Sequence, residues 1–279
     1  MKTIFDNVSY QCSRAVTKNY STSFSLATKM LAPSIRQDIY NIYGFVRLAD
    51  EIVDTFHEYN KEELLTSFEN SLFKAIQDKI SLNPILNSFQ HTYHMYNLDI
   101  NHINSFLKSM KMDLHKENYL TSMEYKEYIY GSADVVGLMC LKVFVNGNHS
   151  KFEELKDAAM SLGSAFQKVN FLRDLKTDLK DLKRSYFPNA DFNNLNEETK
   201  KIIIEEIEND FRKGYEGILN LPVEAKFGVY TAYRYYKKLL QKLKSTPSVD
   251  IMNTRIRIPN YTKLELLARC YVRHQLNFM

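Results

Sequence analysis

The stretch "NFLRDLKTDLKDLKRSYFP" spans Asn170–Pro188. Its apolar residues Phe171, Leu172, Leu175, Leu179 and Leu182 recur at helical spacing, so it reads as a helix packed against a neighbour. The same segment carries Asp174, Asp178 and Asp181. On a helix, Asp174 and Asp178 share a face, separated by about 6 Å of axial rise. Asp181 lies on the same side. Like charges at this spacing repel unless a cation sits between them. Mg²⁺ is a hard cation that takes carboxylate oxygens and keeps positions for water and phosphate. The other reading is a solvated face neutralised by Lys176, Lys180, Lys183 and Arg184.

A second acidic pair weighs against the solvated face. "RLADEIVDTF" (Arg47–Phe56) places Asp50 and Asp54 four apart on a segment whose other positions include the apolar Ile42, Phe45, Val46 and Val53. Arg47 lies one turn before Asp50, and Arg173 immediately precedes Asp174. Two such helices can face each other across a cavity. Carboxylates, Mg²⁺ and arginine together make a diphosphate clamp. Neither segment has the alternating ligands or the glycine of a calcium-binding EF-hand loop.

The rest of the chain supports a helical frame. Only 8 glycines and 6 prolines occur in 279 residues, which favours long helices over many short strands. Helical periodicity predicts helices over roughly Phe5–Asn19, Pro33–Glu58, Lys61–Lys79, Pro84–Tyr96, Ile100–Lys116, Ser122–Phe144, Ser150–Lys183, Asn196–Leu219, Ala225–Lys244 and Tyr261–Asn277. Asn146–Ser150 breaks a helix and leaves Ser150 as the next cap, while Ser245–Tyr261 is the longest irregular stretch. No break resembles an interdomain linker, so residues 1–279 read as one all-α domain. Net charge +4 gives no sign of a nucleic-acid partner. Cys12, Cys140 and Cys270 lack metal-ligand spacing and, with no leader at the N-terminus, read as reduced thiols of a cytoplasmic protein. The 19 tyrosines and 17 phenylalanines fill a core or line an apolar cavity.

Six ordered blocks resemble the squalene/phytoene synthase family, the head-to-head prenyl synthases. They are "STSFSLATKML" (Ser21–Leu31), "YGFVRLADEIVD" (Tyr43–Asp54), "MKMDL" (Met110–Leu114) with "YIYGSADVVGLM" (Tyr128–Met139), "AFQKVNFLRDLKTD" (Ala165–Asp178), "RSYFP" (Arg184–Pro188) and "RIRIP" (Arg255–Pro259). The resemblance implies an isoprenoid synthase-type helical bundle around a central cavity. It implies metal binding by Asp50, Asp54, Asp174 and Asp178. Tyr43, Arg47, Tyr130, Arg173 and Tyr236 match positions expected to be catalytic. Phe24, Gln167, Asn170, Tyr186 and Arg255 match positions expected to bind substrate or diphosphate. Read without the resemblance, the tyrosines pack and Gln167 and Asn170 bond helix to helix.

The wording around Asp50 and Asp113 resembles phytoene synthases, which implies condensation of two geranylgeranyl diphosphates with Mg²⁺, or Mn²⁺, and no NADPH. Squalene or dehydrosqualene synthesis from farnesyl diphosphate is the alternative. A non-catalytic helical binding or assembly protein of the same fold is the alternative outside enzymes. Such amphiphilic substrates imply peripheral contact with the inner face of a membrane. Two departures stand out: Asp134 replaces a usual glycine, and Thr22 stands where some relatives have a basic residue.

Overall fold

The computed structural model describes residues 1–180, 182, 184–188 and 195–275. Among them the regular elements are helices, and the sole sheet-like contact is one bridge between Asn118 and Ser185. In chain order they are α1 (Lys2–Tyr20), α2 (Thr22–Lys29), α3 (Pro33–Asp54), α4 (Lys61–Asp78), α5 (Pro84–Tyr96), α6 (Ile100–His115) and α7 (Ser122–Ile129). A π-helical turn (Tyr130–Asp134) joins α7 to α8 (Val135–Phe144). Then follow α9 (His149–Lys180), α10 (Glu197–Leu219), α11 (Val223–Ser245), α12 (Ser248–Asn253) and α13 (Asn260–Gln275).

Local chemistry sets these boundaries. Pro33 and Pro84 occupy first-turn positions, where a missing N–H costs nothing. Asn83 caps α5 by accepting from the Ile85 and Leu86 amides. Thr121 and Glu124 form a reciprocal capping box on α7. The start of α9 corrects the sequence expectation. Asn148 is its cap, accepting from the Lys151 amide at 3.0 Å, and Ser150 lies inside the helix. The stretch Ser245–Tyr261 also holds the short α12, and Ser21 caps a separate α2.

Packing follows the apolar stripes. Along α3, Ile35, Ile39, Ile42, Phe45, Ala49 and Ile52 are buried at steps of three and four. They join α4, α5, α6 and α8 in one apolar cluster. A second cluster binds α7 and the C-terminal half of α9 to α10, α11 and α12. A third joins α8 to the N-terminal half of α9, α10 and α11. The clusters leave a cavity between α3 and α9.

Close backbone approach at the π-turn shapes one wall. A Cβ on Gly131 would lie 1.9 Å from Ser109 Oγ and 2.4 Å from the Ser105 carbonyl of α6. A Cβ on Gly163 would lie 2.8 Å from the Ala133 carbonyl. Gly131→Ala should therefore destabilise the protein by about 1–3 kcal/mol, the usual cost of overpacking. Urea unfolding measures this. A melt superimposable on the parent's would show that α6 yields freely at this contact.

Candidate active site

The cavity encloses about 430 Å³, within the range of small-molecule sites. Its lining comes from α2, α3, α6, the π-turn and α8, α9, α10 and α11. One end is apolar, with Leu31, Ile39, Cys140, Phe144, Leu155 and Ile218. The other end is charged. Asp50 and Asp54 reach it from α3, Asp174 and Asp178 from α9. The two acidic pairs of the sequence thus open on one space.

Burial and mutual repulsion strain these carboxylates. Asp50 is 32% accessible, but that surface faces the cavity interior. Desolvation, then the charge of Asp54, pushes its pKa up to about 8. Asp178 is likewise pushed up to about 8 by burial and by Asp174. Asp113 on α6 is a fifth carboxylate in the lining, raised to about 7 mainly by burial. Its Oδ2 accepts from the Tyr128 hydroxyl at 2.8 Å, while its Oδ1 has no hydrogen-bond partner.

Arginines answer part of this charge. Arg173 Nε donates to Asp174 Oδ1 at 2.9 Å, and Arg255 Nε lies 2.7 Å from the same oxygen. Arg184 Nη1 donates to Asp54 Oδ1 at 2.7 Å. Arg47 pairs with Glu51, stands 4.0 Å from Asp50 and lies over the Tyr20 ring at 4.6 Å. Among the described residues, no three His, Cys, Asp or Glu side chains are gathered closely enough to grip a metal ion as they stand. The donor chemistry nonetheless fits a divalent cation. Four carboxylates with hard oxygen donors face one space, and burial together with a neighbouring carboxylate holds Asp50 and Asp178 above the usual range.

Aromatic rings wall the space beside the charges. Phe24 stacks on Tyr43 at 4.6 Å, and Phe166 stacks on Tyr236 at 4.0 Å. All four line the cavity. Burial pushes the Tyr43 phenol up to about 12. The Tyr236 hydroxyl donates to Asn170 Oδ1 at 3.4 Å, and Gln167 Nε2 to Ser132 Oγ at 3.5 Å. Tyr186 is buried and stacks on Phe171 at 4.0 Å.

Most of the sequence-predicted residues therefore meet in one place. Arg255 joins from the rim through Asp174 and is 47% exposed. Tyr130 does not join. It is 39% exposed and lines an outer groove with Asp99, His102 and Lys142. Residues two apart on a helix point about 200° apart, so only one of Tyr128 and Tyr130 can face inward. Tyr128 does. Arg184 also departs from expectation: it is buried among the carboxylates rather than solvated beside the lysines. Asp181 lies outside the described residues. Asp134 accepts from Ser164 Oγ at 2.7 Å at the π-turn and is not part of the cavity lining. At Thr22 a cation stands after all, because Lys263 Nζ of α13 donates to Thr22 Oγ1 at 2.9 Å. Sequence reading missed Tyr128, Asp113 and Arg184 as residues of the cavity lining. For Asp113 a signal existed, a lone acid within "MKMDL" on an otherwise core-facing helix.

Comparison with known proteins gives the same picture. The family profile described as squalene/phytoene synthase matches residues 17–262. The chain is 28% identical to phytoene synthase of Arthrospira platensis over 291 residues, covering 95% of this chain and 93% of that protein. It is 29% identical to 15-cis-phytoene synthase of a Synechocystis strain, covering 96% and 86%. Among solved structures, a dehydrosqualene synthase in complex with ligand superposes with a TM-score of 0.82 at 19% identity, over 97% of this chain and 98% of that one.

Asp134 offers a test free of the carboxylate rows. Desolvation in its partly buried position raises it from 3.8 to about 7, opposed in part by the Ser164 hydrogen bond and Lys168. Between those two pH values the folded chain binds more protons than the unfolded one, so stability falls as pH rises through that window. Asp134→Asn should exceed the parent by an amount that grows from pH 5 to about pH 7 and then levels off, a few kcal/mol at most. Urea melts across pH 5–8 check this; parallel curves for the two proteins would refute it.

Proposed function

The chain belongs to the squalene/phytoene synthase family, and from that premise we propose that it is a phytoene synthase, a prenyltransferase that joins two geranylgeranyl diphosphates head to head through a cyclopropyl intermediate. The observation that carries the reading is the pair of acidic helices, α3 and α9, opening on one largely apolar cavity with arginines at its charged end. Residues 1–279 are read as one prenyl synthase domain, since both halves of the chain contribute to that cavity. Between Asp174 and Leu155, α9 runs about 28 Å along the lining. That length accommodates an extended C20 prenyl chain as well as a C15 one.

Asp50, Asp54, Asp174 and Asp178 are the residues we assign to divalent metal, Mg²⁺ or Mn²⁺, whose positive charge neutralises the departing diphosphate. Arg47, Arg173 and Arg255 hold and orient that diphosphate by charge-assisted hydrogen bonds. Asn170 and Gln167 are placed to position it from α9. Once the diphosphate leaves, the allyl cation lies between Phe24 with Tyr43 and Phe166 with Tyr236. Each aromatic face stabilises a cation by about 0.5–2 kcal/mol, and the apolar lining keeps water from quenching it. Tyr43, Tyr128 and Tyr186 all have pKa values raised by burial, so each holds its proton and acts as a donor. The released diphosphate is therefore the assigned base for the final proton loss. That step forms a central double bond and needs no hydride from NADPH.

Product analysis tests this reading. With Mg²⁺ and geranylgeranyl diphosphate the protein should yield the C40 hydrocarbon phytoene, with or without NADPH. Faster turnover of farnesyl diphosphate would move the assignment to the C30 branch. No hydrocarbon from either substrate would remove the enzymatic reading in favour of a binding protein. In the same assay, Asp50→Asn and Asp174→Asn should each lower turnover by several orders of magnitude while leaving the helical circular dichroism intact.

Such substrates and products also lead us to place the protein in the cytoplasm, peripherally at a membrane surface. No described helix is long and apolar enough to cross a membrane. Co-sedimentation with anionic vesicles at low salt checks that placement; protein left wholly in the supernatant would refute it.

A further inference from the structure

Arg184 follows α9 and is 5% exposed. A buried guanidinium is costly unless acceptors meet its donors, and here several elements meet them. Nη1 donates to Asp54 Oδ1 of α3 at 2.7 Å and lies 3.5 Å from the Tyr186 hydroxyl. Nη2 donates to the Asp113 carbonyl of α6 at 2.8 Å, and Asp113 Oδ1 is 3.8 Å from Nη1. The backbone is fixed as well. The Arg184 amide donates to the Asp178 carbonyl at 2.7 Å. The Ser185 amide donates to the Glu117 carbonyl at 2.8 Å, and the Tyr119 amide to the Ser185 carbonyl at 3.1 Å.

Asp54 needs such a partner. It is the last residue of α3, where the helix dipole places about half a negative charge. The carboxylate there is repelled by its own helix and by Asp50 one turn earlier. It is 35% exposed, so an unrestrained side chain has a route out to water. Asp178, in the last described turns of α9, meets the same dipole. Arg184 stands where these two helix ends converge.

We propose that Arg184 is a positioning residue for the carboxylate cluster, its guanidinium keeping Asp54 turned into the cavity and tied to the end of α6. The proposal rests on the reading of Asp54 as a metal ligand. Arg184 is assigned to act through Asp54. Its rigid fork reaches Asp54 and the Asp113 carbonyl together, which a single lysine nitrogen cannot reproduce with the same geometry.

The test uses the full chain with Mn²⁺ and inorganic diphosphate as probes. Metal binding is read from the Mn²⁺ electron paramagnetic resonance signal and from the metal-induced rise in Tm. Arg184→Gln should raise the Mn²⁺ midpoint ten-fold or more, and Arg184→Lys should fall between it and the parent. In an Asp54→Asn background, Arg184→Gln should add little, because its route of action is already gone. A residue that only holds its loop would lower the Tm and leave the midpoint unmoved. A midpoint for Arg184→Gln within two-fold of the parent, or full additivity with Asp54→Asn, overturns the proposal. If Arg184→Gln does not fold, an unshifted midpoint in Arg184→Lys overturns it instead. The probes carry no prenyl chain, so an error in the assigned substrate and an error in this proposal give separate results.

Discussion

Repulsion among Asp50, Asp54, Asp174 and Asp178 governs what must surround them. At about 6 Å and an effective dielectric near 20, two like charges repel by about 3 kcal/mol. Burial of Asp50 and Asp178 in the cavity means that water does little to relieve that repulsion there. Burial first, and this repulsion second, raises the pKa values of Asp50 and Asp178. Arginines on α3, on α9 and beyond both helices are the response, each beside a carboxylate. The arrangement is short of positive charge even so. That shortage makes the charged end receptive to divalent cations and, through them, to diphosphate.

The aromatic walls solve the opposite problem. The charged end favours departure of an anion, and what remains is a cation that water would consume. Stacked pairs such as Phe24 with Tyr43 present π-faces to the space while the Tyr43 hydroxyl stays protonated. The same burial therefore serves two purposes. It raises the carboxylates, so that added positive charge favours their ionised form, and it keeps the phenols neutral. Charge separation along one cavity is then maintained by side chains fixed before substrate arrives.

The helical architecture, the two acidic pairs and their arginines were legible from the sequence because each is a local pattern. Spacing of four on an amphipathic helix is visible without coordinates. What escaped depends on which way a helix turns, or on contacts remote in sequence. Tyr128 and Tyr130 cannot be told apart by residue type, only by orientation. Arg184 looks like one more basic residue beside Lys176 and Lys180, and its partner Asp54 lies 130 residues earlier. Lys263 meets Thr22 across 241 residues. The cap at Asn148 was mistaken for Ser150 because both are good capping residues.

The π-turn connects the missed tyrosine to the shape of the cavity. On an uninterrupted α-helix, the face of Tyr128 would pass through Ser132 and then drift towards Val135 and Met139. The residues of this run that line the cavity are instead Tyr128, Ser132, Ala133, Val136, Gly137, Cys140, Leu141 and Phe144. Widening one turn by a residue carries the inward face from Ser132 to Ala133 and on to Val136 and Gly137, while Val135 and Met139 enter the apolar cluster behind. The small residues on the new face let α8 lie against α9, as the close contacts of Gly137 with Ala159 and of Gly163 with Ala133 record. Such turns are costly in isolation and are common at functional sites. Here the turn allows one helical run to supply a tyrosine to the carboxylate cluster at one end and a smooth apolar wall at the other. Asp134, the last residue of that turn, accepts from Ser164 on α9. Asp134 is not part of the cavity lining, so it braces this wall from outside the reacting space.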